Sequence, residues 1–315
     1  TSGSLLSPDG RPPVTFRPVP AAGTRLLQVA QSAHRAAEVM MPGGEDGRSD
    51  PGPAELFEQF FGPTIFAPWT RVLLEHAEPR PTEQVLDLAC ATGTVARQTA
   101  PIVQDDGRVV GLDIDPDMLR VARQRAASEN VSVEWVQGDA MDVDLPDDSF
   151  DLVLCQQGLQ FFSEPGRALR EAARLLRKGG RIALNVWKPL AHHPVYEALL
   201  EAEARHLGAD LDTVATPFTF GDADRLTDLM NGAGFDDVEV TERCLDVQFP
   251  DPDTFVMLTV MAGAAVVPEL ALDDEEERSA LIEAVSRDSA DVLEEYRDGD
   301  RLAFAMPNQM AIGYA

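Results

Sequence analysis

Three acidic residues stand at or just beyond the ends of successive apolar runs: Asp87 in QVLDLA (84–89), Asp113 closing RVVGLD (108–113), and Asp139 after VSVEWV (131–136). Three carboxylates around one ligand favour a neutral or cationic molecule and repel a polyphosphate. An acid that ends a second strand is placed to accept hydrogen bonds from both hydroxyls of a ribose, so Asp113 points to a nucleoside. Asp139 can accept from an exocyclic adenine amine, with the backbone amide of Ala140 beside a ring nitrogen. Asp87 lies where a dinucleotide fold brings a pyrophosphate close; a carboxylate there suits an ammonium instead. The loop that follows, LACATG (88–93), has one glycine, Gly93, and carries Ala89 and Ala91 where a phosphate cradle would place others.

Adenine, ribose and an amino acid together make S-adenosyl-L-methionine, the cofactor these positions suggest. Blander roles compete at each acid. Asp113 can cap the helix that starts at Pro116, although Asp115 fits that role better by position. Asp139 can be a loop acid in an acidic segment. An NAD-dependent oxidoreductase would need G-x-G-x-x-G after the first strand, which CATGTV (90–95) does not supply.

The elements that must hold these residues follow from hydrophobic periodicity. Strand patterns at 84–89, 108–113, 131–136, 150–155 and 181–187 alternate with helical ones at 93–103, 116–128 and 164–177. This alternation predicts a doubly wound α/β fold with a mostly parallel sheet. Beyond Lys188 come helical patterns at 194–207, 222–232, 252–265 and 274–296, and strand patterns at 236–249 and 301–315. Upstream, a helix is expected at 24–40 and a linker at 41–53 (MPGGEDGRSDPGP). The apolar stripe of 54–76 reads as core-packing helices that Pro63 and Pro68 break into short pieces.

The stretches VLDLACATGTVAR, VVGLDIDPDMLRVAR, VQGDAMDVDLPDDSFDLVLCQQGLQFF and ALREAARLLRKGGRIALNVW resemble the class I S-adenosylmethionine-dependent methyltransferases, in the branch of quinone-biosynthesis and other small-molecule enzymes. The order and spacing of the four is more specific than any one. The resemblance implies a doubly wound, Rossmann-like seven-stranded sheet with the last strand antiparallel. It implies a chain divided into an N-terminal segment, 1–52, and a methyltransferase domain, 53–315, with its core at 80–188 and a substrate lid from 53–78, 188–232 and 252–296. It also implies that Ala89, Ala91 and Gly93 approach the methionine part of the cofactor by backbone, that Asp87 orients the loop or binds the α-amino group, and that Asp113 holds the ribose. Ile114 would pack on the adenine, Asp139 and Ala140 would read its edge, and Gln156 would border the methionine end, with Gln157 and Gln160 nearer the substrate. Glycine is usual in the family at the position of Ala91. A side chain there is expected to require a negative φ.

A hydroxyl or carbon acceptor needs a general base, for which His192 and His193 in WKPLAHHP are candidates; a loop pair without catalytic role is the alternative. The net charge is −28, from 54 acidic and 26 basic side chains, and Lys178 and Lys188 are the only lysines. Such a balance opposes nucleic acid and anionic membranes as partners and favours a small-molecule substrate. It also suits either a solubilising surface or a salt-rich cytoplasm. Three cysteines without cluster spacing suggest a reducing compartment and no metal site. No apolar run is long enough to span a bilayer and no leader pattern is visible, so a cytoplasmic location is expected. TFVMLTVMAGAAVV (254–267) is expected to bury against the sheet, line an apolar pocket or form a homodimer contact. A non-catalytic binder of the cofactor, or a nucleic-acid methyltransferase, are the remaining alternatives.

Overall fold

The computed structural model describes residues 53–104, 106–266 and 275–315. The expected helix at 24–40 and linker at 41–53 lie outside them, apart from Pro53. Five strands, β1 (Gln84–Leu88), β2 (Arg108–Asp113), β3 (Glu134–Gln137), β4 (Phe150–Gln156) and β5 (Leu176–Trp187), are parallel. The long strands β6 (Asp236–Phe249) and β8 (Arg301–Tyr314) complete the order β3-β2-β1-β4-β5-β8-β6, and the two-residue β7 (Arg297–Asp298) turns back onto β8. Strand β8 is antiparallel to both β5 and β6. This is the Rossmann-like sheet with a reversed last strand that the sequence implies.

Alternation of side chains decides which residues share a face. Val85, Val109, Leu152, Leu154, Ala183 and Met310 belong to one core, and Leu86, Leu88, Val110, Leu112, Val153 and Leu184 to the other. The first face is covered by α1 (Ala67–Ala77), α2 (Thr94–Val103), α5 (Pro194–Leu207), α7 (Pro252–Val266) and α8 (Glu275–Glu295). The second is covered by α4 (Pro165–Leu175) and α6 (Ala223–Gly232). Helix α3 (Pro116–Glu129) lies between β2 and β3, with Asp115 as its N-cap accepting from the amides of Asp117 and Met118. In the parity of β1, β2, β4 and β5, Asp87, Gly111, Asp113, Gln156, Asn185 and Trp187 all project to the first face.

Three local expectations are corrected. Pro63 and Pro68 do not break the 54–76 stripe: the helix is continuous from Pro53 to Ala77, with π-helical turns at Phe57–Phe66. The wider turn, seen in the Ala67 N–H bond to Gly62 O, gives room for the proline ring that an α-turn would deny. Pro68 is a second proline accommodated within this continuous helix, directly after the π-helical turns. The third strand is shorter than the 131–136 pattern and begins at Glu134. Helix α4 ends at Leu175 rather than 177, since Leu176 already pairs with Phe150 in β4.

Candidate active site

The loop after β1 is built on alternating left-handed residues: Ala89 (φ 59°), Ala91 (φ 48°) and Gly93 (φ 77°). The negative φ expected at Ala91 is therefore not found. The reason is local: the left-handed turn allows the Ala91 N–H to donate to Asp113 Oδ2 at 2.7 Å, tying the β1 loop to the end of β2. Holding an alanine there costs about 1–2 kcal/mol relative to glycine. Gly93 has no such choice. Beyond its positive φ, a Cβ on it would fall 2.2 Å from the ring of Trp135, which reaches across from β3 over Gly111. Gly93 thus packs against an indole.

Helix α2 begins at Thr94 with Gly93 as an N-cap that has no side chain to offer. Asp87 supplies the missing acceptor: its Oδ2 takes the N–H of Ala96 at 2.9 Å from beneath the helix. Asp87 is 1 % exposed. Burial pushes its carboxyl up to about 7, against the opposing Ala96 hydrogen bond and with the Asp113 charge adding to the rise. Asp113 is held up at about 6, again mainly by burial, although the amides of Asp115 and Ala91 favour its charged form. Its Oδ1 accepts from Asp115 N–H at 2.9 Å.

A cleft of about 360 Å³, including its open mouth, lies at the carboxyl ends of β1–β3. Ala89, Asp113, Ile114, Asp139 and Ala140 line it, so the fold brings these five expected residues together. With Gly138 also in the lining, Leu112, Met141, Phe161 and Phe162 add apolar walls. Sequence reasoning passed over these four. Their signal was the apolar character of positions flanking the acids. Asp139 Oδ1 accepts the Met141 N–H at 2.8 Å, which fixes its carboxylate in the loop. Asp87, Ala91, Gly93 and Gln156 do not line this cleft. They frame it: Asp87 under α2, Ala91 through Asp113, Gly93 against Trp135. An acid beside apolar walls, with no basic side chain among the lining residues, fits a nucleoside bearing no polyphosphate.

Beyond β4 the polar residues change character. Gln156 Nε2 donates to Phe66 O at 3.1 Å and Thr70 Oγ1 at 3.0 Å, fastening the start of α1 over the sheet. Gln157 acts as a brace, its Oε1 accepting from Trp187 N–H at 3.1 Å and Gln160 Nε2 at 3.0 Å. The two histidines part company. His192 is exposed, whereas His193 is 2 % exposed, its ring 4.8 Å from Phe218 and edge-on to Trp187 at 6.3 Å. Burial lowers its pKa to about 4, the Lys188 backbone opposing only weakly, so the imidazole is neutral at physiological pH. Neither ring nitrogen makes a well-formed hydrogen bond to a described residue. Trp69 of α1 meets Trp187 edge-on at 5.8 Å. Of the remaining histidines, His76 is half-buried on α1 and His206 pairs with Asp288 at 3.0 Å; His34 lies outside the described residues.

Residues 85–180 match the family model described as a methyltransferase domain. The chain is 32% identical over 181 residues to the demethylmenaquinone methyltransferase of Deinococcus radiodurans, covering 53% of this chain and 73% of that one. It is 29% identical to the nocamycin O-methyltransferase of Saccharothrix syringae, over 72% of this chain and 85% of that one. Among solved structures, the YcgJ protein of Bacillus subtilis aligns with a TM-score of 0.52 at 20% identity, over 78% of this chain and 97% of that one. The cyclase SpnF aligns with the same TM-score at 18% identity, over 94% and 96%. Those two likenesses show a shared fold, and the sequence relatives show more: the chain belongs to the class I S-adenosylmethionine-dependent methyltransferases.

Proposed function

We propose that the β1–β3 cleft holds S-adenosylmethionine and that the acceptor is a small molecule lying beyond β4 and β5, beneath α1 and α5. The observation that carries this reading is the convergence of Asp113, Ile114, Asp139 and Ala140 on one cleft with apolar walls. In it Asp113 would hold the ribose, Asp139 and the Ala140 amide the adenine edge, and Ile114 and Met141 the faces of the base. Asp87 sets the loop through α2 and lends its charge to the ammonium end. The relatives named above act on a demethylmenaquinone and on nocamycin, which supports a small organic acceptor. The −28 charge disfavours a nucleic acid, and no helix among the described residues is long and apolar enough to cross a membrane.

The cofactor supplies a methyl group already activated by its sulfonium. What the chain must add is alignment and exclusion of water, which is worth on the order of 7–11 kcal/mol. The roof of Trp69, Trp187 and Phe218 does the excluding. For a hydroxyl acceptor, His193 is the base: neutral and desolvated, with the Lys188 backbone as its polar neighbour. It would accept the hydroxyl proton as the oxygen–carbon bond forms. Calorimetric titration with S-adenosylmethionine, against NAD as control, tests the cofactor. Transfer of a labelled methyl from S-adenosylmethionine into a bacterial metabolite extract tests the acceptor class. Heat with NAD but not S-adenosylmethionine would overturn the reading.

A further inference from the structure

The first face of the sheet carries polar residues that the cofactor cleft does not use. In the β5–β8 register Asn185 lies opposite Met310 and Trp187 opposite Asn308, so the two asparagines sit diagonally on one face. In the β4–β5 register Gln156 lies beside Asn185. Both asparagines are 0 % exposed. Nevertheless the side-chain nitrogen and oxygen of each, together with Gln156 Oε1, make no hydrogen bond to any described residue. A buried amide left unpaired costs about 1–3 kcal/mol for each unsatisfied group. A fold that keeps several on adjacent strands, beside Trp187, is carrying a cost that a bound ligand or an internal water recovers.

We infer that Asn185 and Asn308, with the carbonyl of Gln156, form an amide clamp that orients the methyl acceptor, and that the acceptor is an uncharged molecule presenting a carbonyl and a hydroxyl or N–H group. This rests on the reading of the site as a small-molecule methyltransferase. The chemistry follows from the clamp. Each asparagine offers one carbonyl acceptor and an NH2 donor in fixed geometry, a match for a ligand that has both kinds of group. No formal charge is presented: the register partner of Asn308 on β6, Arg243, is exposed and turns its guanidinium to Glu242 O. Lys188 is paired with Glu242 at 2.6 Å. A site that binds by paired amides discriminates strongly against analogues lacking the matching polar group, because its own atoms are then left orphaned. Asn185 and Asn308 are positioning residues.

The test uses the full chain with S-adenosyl[methyl-3H]methionine and a bacterial metabolite extract separated by ion exchange into neutral, anionic and cationic pools. Label is expected in the neutral pool, with a product that mass spectrometry shows to contain a carbonyl. In Asn185→Leu and Asn308→Leu, the pool concentration giving half-maximal labelling should rise about tenfold each, the equivalent of one lost hydrogen bond. S-adenosylmethionine affinity by calorimetry should stay unchanged, and melting temperature should hold or rise, because an apolar side chain removes the orphaned amide. Asn308→Ala and Asn185→Ala give the same readouts should leucine not fit. Label confined to a charged pool overturns the ligand chemistry. Unchanged half-saturation in the variants, or a fall in melting temperature for leucine and alanine alike, assigns the asparagines to structure and overturns the clamp. Absence of label in every pool with the unaltered chain would instead overturn the small-molecule reading itself.

Discussion

Asp87 Oδ2 accepts the backbone N–H of Ala96 at 2.9 Å, so a strand residue caps a helix whose own N-cap, Gly93, cannot. The proposed ammonium contact would thus be a second duty for this carboxylate. Asp87→Ala should cost about 0.5–2 kcal/mol, the usual worth of a lost cap, read as a drop of roughly 2–4 °C in melting temperature per kcal/mol. Asp87→Asn keeps an acceptor for the cap and removes the charge. Its melting temperature should stay near the parent's at pH 6 while its affinity for S-adenosylmethionine falls at pH 8. In the unaltered chain that affinity should strengthen as pH rises through about 7, where Asp87 ionises. Calorimetry at several pH values with both variants separates the duties. An affinity independent of both pH and substitution would confine Asp87 to capping.

Ala91 at φ 48° and Gly93 at φ 77° make opposite predictions in one loop. Ala91→Gly removes a left-handed side chain and should stabilise by roughly 1 kcal/mol, less the extra freedom glycine gains in the unfolded chain. Gly93→Ala places a methyl 2.2 Å from Trp135 and should destabilise by more than about 2 kcal/mol, through strain and overpacking together. Thermal melts of the two variants check both signs.

His193 and His192 should separate cleanly in kinetics. His193→Gln is expected to lower kcat by about 100-fold or more for a hydroxyl acceptor, and His192→Ala to leave it unchanged. Since burial holds His193 neutral down to about pH 4, no acid limb from an ordinary histidine should appear near 6.5 in the rate profile. A limb at 6.5 that His192→Ala removes would shift the role to its neighbour.

Glu203 lies on α5 with 0 % exposure and no hydrogen bond to either carboxyl oxygen. Burial raises its pKa from 4.5 to about 8. The folded state therefore keeps a proton that the unfolded chain sheds, so this contribution to stability is complete below about pH 4.5 and is lost as pH rises to about 8. Asp87 and Asp113 act in the same direction, ending near 7 and 6, whereas His193 acts oppositely between 6.5 and 4. Glu203→Gln should raise the melting temperature at pH 8 by a few degrees, change it little at pH 4.5, and flatten the slope between. Equal shifts at both pH values would show that packing, not ionisation, is responsible.

The strands and the acids at their ends were legible because both are local: period-2 or continuous apolar runs stop where Asp113 and Asp87 stand. The reversed β8 came with the resemblance, since nothing in RLAFAM or MAIGYA states a direction. Ala91 was misjudged because its φ is set by a hydrogen bond to Asp113, a residue 22 positions on. Pro63 was misjudged because a proline inside a helical pattern reads as a break unless the helix widens around it. His193 was named as a candidate base, but its burial and the placement of Asn308 were beyond reach. Whether a loop histidine is buried depends on Phe218 and Trp187, and no sequence pattern pairs Asn308 with Trp187 across a reversed strand.

Strands β6 and β8 continue together beyond the end of β5: past the Trp187–Asn308 pair, Leu302 to Pro307 align with β6, and β7 joins only at Leu302. On this extension the rings of Phe249 and Phe304 stack on each other, Phe255 of α7 meets both at an angle, and Tyr196 of α5 meets Phe304 edge-on. In the proposed reading this aromatic cluster would bound the acceptor on a hydrogen-bonded cantilever of two strands. Its length works as a ruler. Removing or adding a residue pair in both strands would raise or lower the aromatic ceiling by about 6.6 Å while leaving every residue of the cofactor cleft in place, so one scaffold can be cut to acceptors of different depth without touching its methyl donor.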